Sequence, residues 1–410
     1  MATTQQQKTS AAIGVVGFLV ALLLYGAMAS PAPPPATTTT TRPASTTTAP
    51  TSDAARPLFS PTASWNRTAA ELGYSTRYAS LGDIWWTYGG GGVAPPATVT
   101  LALTDYSVPI YDAADATTSA YAYQAAGYAA LFGISNTGLT NGAKVPWNYT
   151  WRPAPGNDAL MVIVDRHTDE WWELGGVNQL PVNCAFVAAN ITATPPYDPT
   201  AANHLCLGGI QHGTGLYGLN LFVGRGMGNV PKLALITRAD EVASGTIRHA
   251  LEMTSTATMW GAPECGPNDP GAGDTCGYYL APATRVEWNT SAAATRCAPT
   301  PTPPRSQTVP EGTRLALDIT DAELDAWATS RGYTGQRRTT ALTFARALRD
   351  YGWVIAETGC YGNSIETDGT TNPATAATWA RLGLTGTPAD AHLLDNLFAP
   401  GRIRVVNPTR

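Results

Sequence analysis

The sequence has few charged residues: Asp, Glu, Lys and Arg make up 13 % of its 410 positions, well below the quarter that is usual in soluble domains. The formal net charge is −5. No run of Lys and Arg forms the basic stripe that nucleic-acid binding needs, so nucleic acid is excluded as a partner. The hydrophobic fraction of 44 % is sufficient for a large core.

Several catalytic motifs are also missing. The sequence has no H-E-x-x-H, no G-x-S-x-G, no phosphate-binding G-x-x-x-x-G-K-[ST], and no G-x-G-x-x-G set between a strand and a helix. These absences disfavour metalloprotease, α/β-hydrolase and nucleotide-binding functions. The histidines and nearby carboxylates follow no standard metal-ligand spacing, so we expect neither a metal nor another cofactor.

The N-terminus predicts export. Residues 11–29 are uncharged and mostly apolar, a length that suits a membrane span, and Lys8 lies on their N-terminal side. The Ala-Met-Ala sequence that ends at Ala29 also matches a signal-peptidase site. Residues 1–29 are therefore either a membrane anchor or a signal peptide. Both interpretations place the body of the protein outside the cell, tethered to the cell surface or released after Ala29.

The region after this segment divides into a stalk and a β-rich body. Residues 30–57 are a Pro/Thr/Ala tract with almost no large apolar side chain, which predicts a disordered stalk. From residue 58 to residue 279, short apolar runs alternate with clusters of Gly, Asn and Pro, a pattern typical of β-strands. The segment "LMVIVDRHTDEWWEL" predicts a hairpin, whose polar turn Asp165 can cap through an Asx hydrogen bond.

The C-terminal quarter favours helices. Residues 320–332 begin with a capping box, Thr320 with Glu323, and a second amphipathic segment covers residues 339–352. We predict a mainly β fold: a β-sandwich or jelly-roll-like core with a few helices in the C-terminal quarter. This core forms a single large extracellular domain, residues 58–410, and a two-domain chain divided near residue 300 is the alternative.

Six cysteines, an even number, agree with an oxidising compartment. Proximity along the chain favours Cys184–Cys206 and Cys265–Cys276, which leaves Cys297 with Cys360, although six cysteines allow fifteen connectivities. Residues 261–306 would then be a Cys-rich excursion held by disulfides. No C-x-x-C pair occurs, so zinc and thioredoxin-like sites are not supported.

His249 is the first candidate for a functional side chain. Residues 246–255 alternate as a strand would, and His249 falls in the apolar row with Ile247 and Leu251. A histidine there is either a packed neutral side chain or, beside a carboxylate, a general base. Glu241 lies just before this segment, and its pairing with His249 would distinguish a general base from a packed neutral side chain.

The other candidates are carboxylates and aromatic rings. A glycosidase needs two carboxyl groups that flank the scissile bond, and Glu173 and Glu241 are the pair that we predict, with Asp158 in reserve. Two Trp-Trp dipeptides would each place one ring on either side of a strand. Their outward rings, Trp86 and Trp172, are candidate sugar platforms.

Residues 228–255, "GNVPKLALITRADEVASGTIRHALEMTS", resemble a family of secreted bacterial proteins that is common in actinobacteria and largely uncharacterised. The core of that family reads roughly G-L-P-x-L-x-G-L-[IV]-R-x-x-E-[IV]-x-x-G-x-I-x-H-A-L, and Glu241, Gly245 and His249 fall on it. Three segments follow in the family's order: "YYLAPAT" (278–284), "VPEGTRLALD" (309–318) and "ALRDYGWVIAETG" (347–359).

The hairpin segment resembles the same family. It places Asp158, Asp165 and Glu173 on matching positions, while Leu160 stands where many members have a histidine and Glu357 stands where Asp is usual. The resemblance implies that residues on both sides of the Cys-rich excursion belong to one fold. It brings no established activity with it.

These observations favour an exported polysaccharide-active enzyme, with a glycoside hydrolase ahead of a polysaccharide lyase. Glu173 and Glu241 would be its carboxyl pair, His249 an orienting group or base, and Arg314 the group that holds a substrate oxygen or carboxylate. Its partner would be a polysaccharide or cell-surface glycan, and it would meet the membrane only through the N-terminal segment. The alternatives are a non-catalytic glycan-binding module displayed on the stalk, and a structural envelope protein.

Overall fold

A computed structural model describes residues 58–89, 98–124, 142–156, 158–177, 203–207, 209–216, 230–261, 263–271, 275–287, 304–359 and 362–409. In these residues the chain forms fifteen β-strands in four sheets, together with eight α-helices, and no sheet closes into a barrel. The prediction of a mainly β fold with helices in the C-terminal part is confirmed.

The largest sheet has six strands, in the order β1-β14-β9-β13-β12-β15. Its strands are β1 (Val99–Ala102), β9 (Leu251–Ser255), β12 (Arg314–Leu317), β13 (Trp353–Thr358), β14 (Asn363–Glu366) and β15 (Ile403–Val405). Strand β9 pairs in parallel with β13 and antiparallel with β14, so the sheet is mixed. It joins strands from both sides of residue 300.

A four-stranded sheet, in the order β2-β5-β6-β8, carries the predicted hairpin. Its strands are β2 (Ile110–Asp112), β5 (Met161–Asp165), β6 (Glu170–Gly175) and β8 (Gly209–Thr214). Strands β5 and β6 pair antiparallel, with Met161 opposite Leu174. The Asp165 carboxylate accepts hydrogen bonds from the N–H groups of His167 and Thr168, at 2.9 and 3.0 Å, and so forms the predicted Asx turn.

The remaining two sheets are smaller. A three-stranded sheet contains β3 (Thr118–Gln124), β4 (Ala143–Trp147) and β7 (His204–Leu207), and a two-stranded one contains β10 (Glu264–Pro267) and β11 (Gly277–Tyr279). The predicted disulfide Cys265–Cys276 joins β10 to the segment just before β11. Cys206 also forms a disulfide, whereas Cys184, Cys297 and Cys360 lie outside the described residues.

The two longest helices lie in the C-terminal quarter, as predicted. The eight are α1 (Ala69–Leu72), α2 (Ser80–Tyr88), α3 (Lys232–Leu235), α4 (Ala239–Ala243), α5 (Asp321–Ser330), α6 (Gly335–Asp350), α7 (Pro373–Arg381) and α8 (Pro388–Ala391). Helix α5 begins with the predicted capping box: Thr320 and Glu323 each accept from the other's N–H. None of the helices in the described residues is long and apolar enough to cross a membrane. Residues 1–57 lie outside the described residues.

Three apolar clusters show how these elements are layered. One lies between the six-stranded sheet and the helices and includes Met253, Phe344 and Leu348. A second lies between the other face of that sheet and the four-stranded sheet, and includes Val354 and Val162. The third lies between the four-stranded and three-stranded sheets. Both faces of the six-stranded sheet are therefore covered.

Two local predictions were wrong. Strand β9 begins at Leu251 rather than Thr246, so His249 precedes the strand. Trp85 and Trp86 lie on helix α2 rather than on a strand. The indole ring of Trp85 is buried, and its centroid is 5.1 Å from that of Trp353 and 5.7 Å from that of Phe398. Tertiary packing therefore outweighs the strand preference of this aromatic segment.

Candidate functional site

A buried lysine lies among three glutamates on the face of the six-stranded sheet that meets the four-stranded sheet. The Nζ atom of Lys232 is 2.7 Å from Glu252 Oε1, 2.9 Å from each carboxyl oxygen of Glu366 and 3.0 Å from Glu357 Oε1. Lys232, Glu252 and Glu366 are at most 3 % exposed, while the Glu357 side chain is 12 % exposed. The cluster therefore has one edge nearer to solvent, at Glu357.

Strand register brings the three glutamates together. Glu252 alternates with the core residues Leu251 and Met253, so its side chain points to the opposite face of β9. On β14, Ile365 pairs with Met253, so the next residue, Glu366, lies beside Glu252. On β13, a register shift after Ile355 places Glu357 opposite Thr254, on the same face.

Burial changes the ionisation of this cluster. Burial raises the pKa of Glu252 to about 8; the Lys232 ammonium opposes the shift and the charge of Glu357 adds to it. Burial and the charge of Glu252 raise the pKa of Glu366 well above its usual value. Burial lowers the pKa of Lys232, but its carboxylate neighbours raise it further, so the net shift is upward. The cluster therefore holds carboxyl protons at neutral pH.

A second carboxyl group stands beside Glu357. Glu287 Oε2 accepts a hydrogen bond from the N–H of Thr358, the residue after Glu357, at 2.7 Å. Burial, together with the charge of Glu357, raises the pKa of Glu287 to about 8. Glu287 is partly exposed, like Glu357, so these two residues form the end of the site that lies nearest to solvent, here called its accessible end.

Glu311 lies behind Glu287. Glu311 is fully buried, and neither of its carboxyl oxygens has a hydrogen-bond partner of normal geometry in the described part of the chain. Burial, and secondly the charge of Glu287, raises the pKa of Glu311 well above its usual value, and the nearby backbone N–H groups only partly oppose this. The site of Glu311 therefore favours the neutral form of its carboxyl group.

The predicted candidate Glu173 borders the Lys232 cluster. It lies on β6, where its Oε1 accepts a hydrogen bond from the N–H of Leu233 at 2.9 Å, and its charge raises the pKa of Glu252. Glu173 therefore fixes the start of helix α3, from which Lys232 extends. The contacts of Glu241 are with Arg238 and His249, a group separate from the Lys232 cluster.

The predicted pairing of Glu241 with His249 is present. Glu241 Oε2 is 3.1 Å from His249 Nε2, and His249 Nδ1 is 2.8 Å from the Ala250 carbonyl oxygen. The other oxygen of Glu241 contacts the Arg238 guanidinium. Burial raises the pKa of Glu241, but Arg238 and His249 outweigh it and leave the pKa lowered. Both His249 nitrogens thus face acceptors inside the protein, which favours a positioning role for the ring.

Arg314 has a different environment from the one predicted. Its Nη1 donates to the Ser64 carbonyl at 2.6 Å, its Nη2 to the Arg67 carbonyl at 2.6 Å and its Nε to the Tyr351 carbonyl at 2.8 Å. Burial lowers its pKa to about 9. Its guanidinium is therefore engaged by backbone carbonyls that join three segments.

Removal of this guanidinium is expected to destabilise the fold. Arg314→Met leaves three carbonyl groups without their charged donor, so we expect the free energy of unfolding to fall by about 3 kcal/mol or more. Urea unfolding would measure the loss, with Arg248→Met at a nearby exposed arginine as the control. Equal stability of the two variants would show that the carbonyls find other donors.

The remaining predicted residues lie elsewhere. Trp172 is buried on the far face of β6 and stacks on the His212 ring, so it is not an outward platform. Trp86 is partly buried against the core below α2. The Asp158 backbone carbonyl accepts from the Gly176 N–H at 2.6 Å. None of these three contacts belongs to the Lys232 cluster.

The carboxyl oxygens of Glu252, Glu357 and Glu366 lie within 4.8 Å of one another, a spacing compatible with a metal ion. The Lys232 ammonium contacts all three carboxyl groups and is therefore the positive charge that lies between them.

Comparisons with known proteins give no further guide: no protein family, no curated protein and no solved structure matches this chain.

Proposed function

We propose that this protein is an exported enzyme that hydrolyses a glycosidic bond of a polysaccharide, with Glu287 and Glu357 as its carboxyl pair. One observation carries the proposal. Two neighbouring carboxyl groups at the accessible end of a buried acidic cluster have environments that favour opposite protonation states. Such a pair is what general acid catalysis with a second, ionised carboxylate requires.

Glu287 is assigned as the general acid. Burial and the neighbouring charge of Glu357 raise its pKa to about 8, so it keeps its proton at neutral pH and can give it to the leaving oxygen. The hydrogen bond from the Thr358 N–H to Oε2 orients the group.

Glu357 is assigned as the ionised partner. Lys232 Nζ donates to Glu357 Oε1 at 3.0 Å. Glu252 and Glu366 also contact this ammonium, but in their protonated forms they carry no charge, so Glu357 is the carboxylate that the ammonium stabilises. A carboxylate in this position can attack the anomeric carbon or activate a water, according to its distance from the acid when substrate is bound.

The geometry also favours a hydrolase over a lyase. A lyase that acts on a uronate needs a cationic group to neutralise the substrate carboxylate, and Arg314 was the predicted candidate. Its donors are engaged by three backbone carbonyls. The accessible end of the site presents Glu357, whose ionised carboxylate repels a uronate.

The test is release of product by the full-length protein from a panel of bacterial and plant polysaccharides. Reducing ends and the absorbance of unsaturated uronates are measured together. We expect new reducing ends without absorbance, and we expect Glu264→Gln, at an exposed carboxylate on β10, to leave the rate unchanged. Absorbance in step with reducing ends would identify a lyase. Glycan binding without product would instead support the display module.

A further inference from the structure

The contact between Lys232 and Glu366 has the geometry of two groups placed to react. Both side chains are almost completely buried, and Nζ is 2.9 Å from each of the two carboxyl oxygens. A nitrogen equidistant from both oxygens lies on the plane that bisects the carboxyl group and contains its carbon, Cδ. The nitrogen is therefore within contact distance of Cδ, the atom that a nucleophile would attack.

Glu252 is placed to move the protons that such a reaction involves. Its Oε1 is the carboxyl oxygen nearest to Nζ, at 2.7 Å. Its Oε2 is buried and has no hydrogen-bond partner in the described part of the chain. One oxygen can therefore take a proton from nitrogen while the other is available to pass a proton on.

The surroundings favour loss of water from this contact. The groups lie between two sheets, beside the apolar cluster that contains Val354 and Ala356, and an ion pair is poorly solvated there. Burial and the charge of Glu252 raise the pKa of Glu366 far above its usual value, so Glu366 is an acid that can lose a hydroxyl as water. Fixed proximity replaces a bimolecular encounter.

We propose that Lys232 and Glu366 condense to an intramolecular amide, a covalent cross-link between helix α3 and strand β14. The nitrogen attacks Cδ, the N–C bond forms, and the bond from Cδ to the hydroxyl oxygen breaks. The reacting state has Glu366 protonated and Glu252 ionised. The Lys232 ammonium then loses two protons: one leaves with the Glu366 hydroxyl as water and the other remains on Glu252. The step needs no oxidant, reductant or external co-reactant.

The free amine arises within the contact. Carboxylate neighbours keep the pKa of Lys232 high although burial lowers it, so the amine forms when its proton moves to Glu252 and not by release to solvent. The groups that face Nζ are Glu252 on β9, Glu357 on β13 and Glu366 on β14. The amide keeps one N–H, which can still donate to Glu357, so the proposed carboxyl pair retains this neighbour.

The test is peptide mapping of the full-length protein by mass spectrometry after reduction and alkylation of its disulfides. We expect a branched peptide that joins Lys232 to Glu366, lighter than its two parts by one water, and resistance to trypsin after Lys232. Lys232→Arg preserves the charge and cannot form this amide, so its chain should retain that water. The intact mass of the wild-type protein is compared with that of Lys232→Arg. After subtraction of the mass difference between lysine and arginine, the wild-type protein should be lighter by one water.

Two glutamine variants test the assigned roles. Glu366→Gln can give the same amide by loss of ammonia, so the same branched peptide is expected, whereas Glu252→Gln should leave the chain without the cross-link. Separate unmodified peptides around Lys232 and Glu366 in the wild-type protein would overturn the proposal. A branch from Lys232 to Glu252 or Glu357 would overturn the assignment of Glu366. Neither result depends on whether the protein hydrolyses a polysaccharide.

Discussion

The free energy of unfolding is expected to fall by several kcal/mol between about pH 5 and about pH 9. Three carboxyl groups outside the Lys232 contact carry this expectation: the buried Glu311 and Asp368, and the partly exposed Glu287. Burial is the main cause for each: it raises the pKa of Glu287 and of Asp368 to about 8 and that of Glu311 well above its usual value. Asp368 accepts from the Ala239 N–H and from the Trp379 indole.

The sign follows from proton binding. In the unfolded chain these groups titrate at about pH 4. In the folded protein the pKa of Glu287 and of Asp368 is about 8, and that of Glu311 is raised in the same direction. Between these values the folded state holds protons that the unfolded chain has lost. Their contribution to stability is therefore complete below about pH 4 and is lost as the pH rises through 8, at about 1 kcal/mol per pH unit for each group.

Other carboxylates set the limit at low pH. Hydrogen bonds from Arg337 and the Thr385–Thr387 turn outweigh burial and lower the pKa of Asp390 to about 2. The pKa of Glu241 is lowered by Arg238 and His249 in the same sense. Stability from these groups is present above about pH 4 and is lost as the pH falls through their folded pKa values. Maximum stability is therefore expected near pH 5.

Urea unfolding at a series of pH values measures this dependence. Glu311→Gln replaces a buried acid by a neutral group of the same shape, so it should change stability little at about pH 5 and increase it at about pH 9. Glu264→Gln, at an exposed carboxylate, should follow the wild-type curve at every pH. Stability that is constant from pH 5 to pH 9 would contradict the assignment of buried protonated acids.

Local sequence signals predicted local structure well. The hairpin at Asp165, the capping box at Thr320 and the Cys265–Cys276 disulfide each depend on residues only a few positions apart. The contact between Glu241 and His249 spans a short turn and was also within reach of sequence reasoning. In these cases nearby side chains determine the geometry, with little contribution from the rest of the fold.

The Lys232 cluster could not be predicted in the same way. The alternation around Met253 shows that Glu252 lies on the opposite face of its strand, but not that a second sheet covers that face. Strand order brings Glu366 beside Glu252 although they are far apart in the chain, and a register shift places Glu357. The one local signal was a lysine inside the apolar segment "VPKLALI".

Replacement of the proposed acid, Glu287→Gln, is expected to lower kcat by about 10²–10⁴-fold on a glycan whose leaving group needs protonation. Glutamine keeps the hydrogen bond from the Thr358 N–H but has no proton of suitable acidity to give, so the fold should persist while turnover fails. The basic limb of the pH profile, which reports the acid with a pKa of about 8, should disappear in this variant.

Glu357→Gln should abolish turnover as well, but for a different reason: it removes the carboxylate that attacks the sugar or activates water. Removal of that charge should also lower the pKa of Glu287, since Glu357 is a cause of its upward shift. Initial rates over pH for Glu287→Gln, with Glu264→Gln as the matched control, test the role of the acid. Because Glu357→Gln is expected to have no turnover, NMR titration of the Glu287 carboxyl group in that variant and in the wild type measures the change in pKa. Wild-type kcat in Glu287→Gln would exclude Glu287 as the acid. A Glu287 pKa that does not change in Glu357→Gln would show that the two groups do not act as a pair.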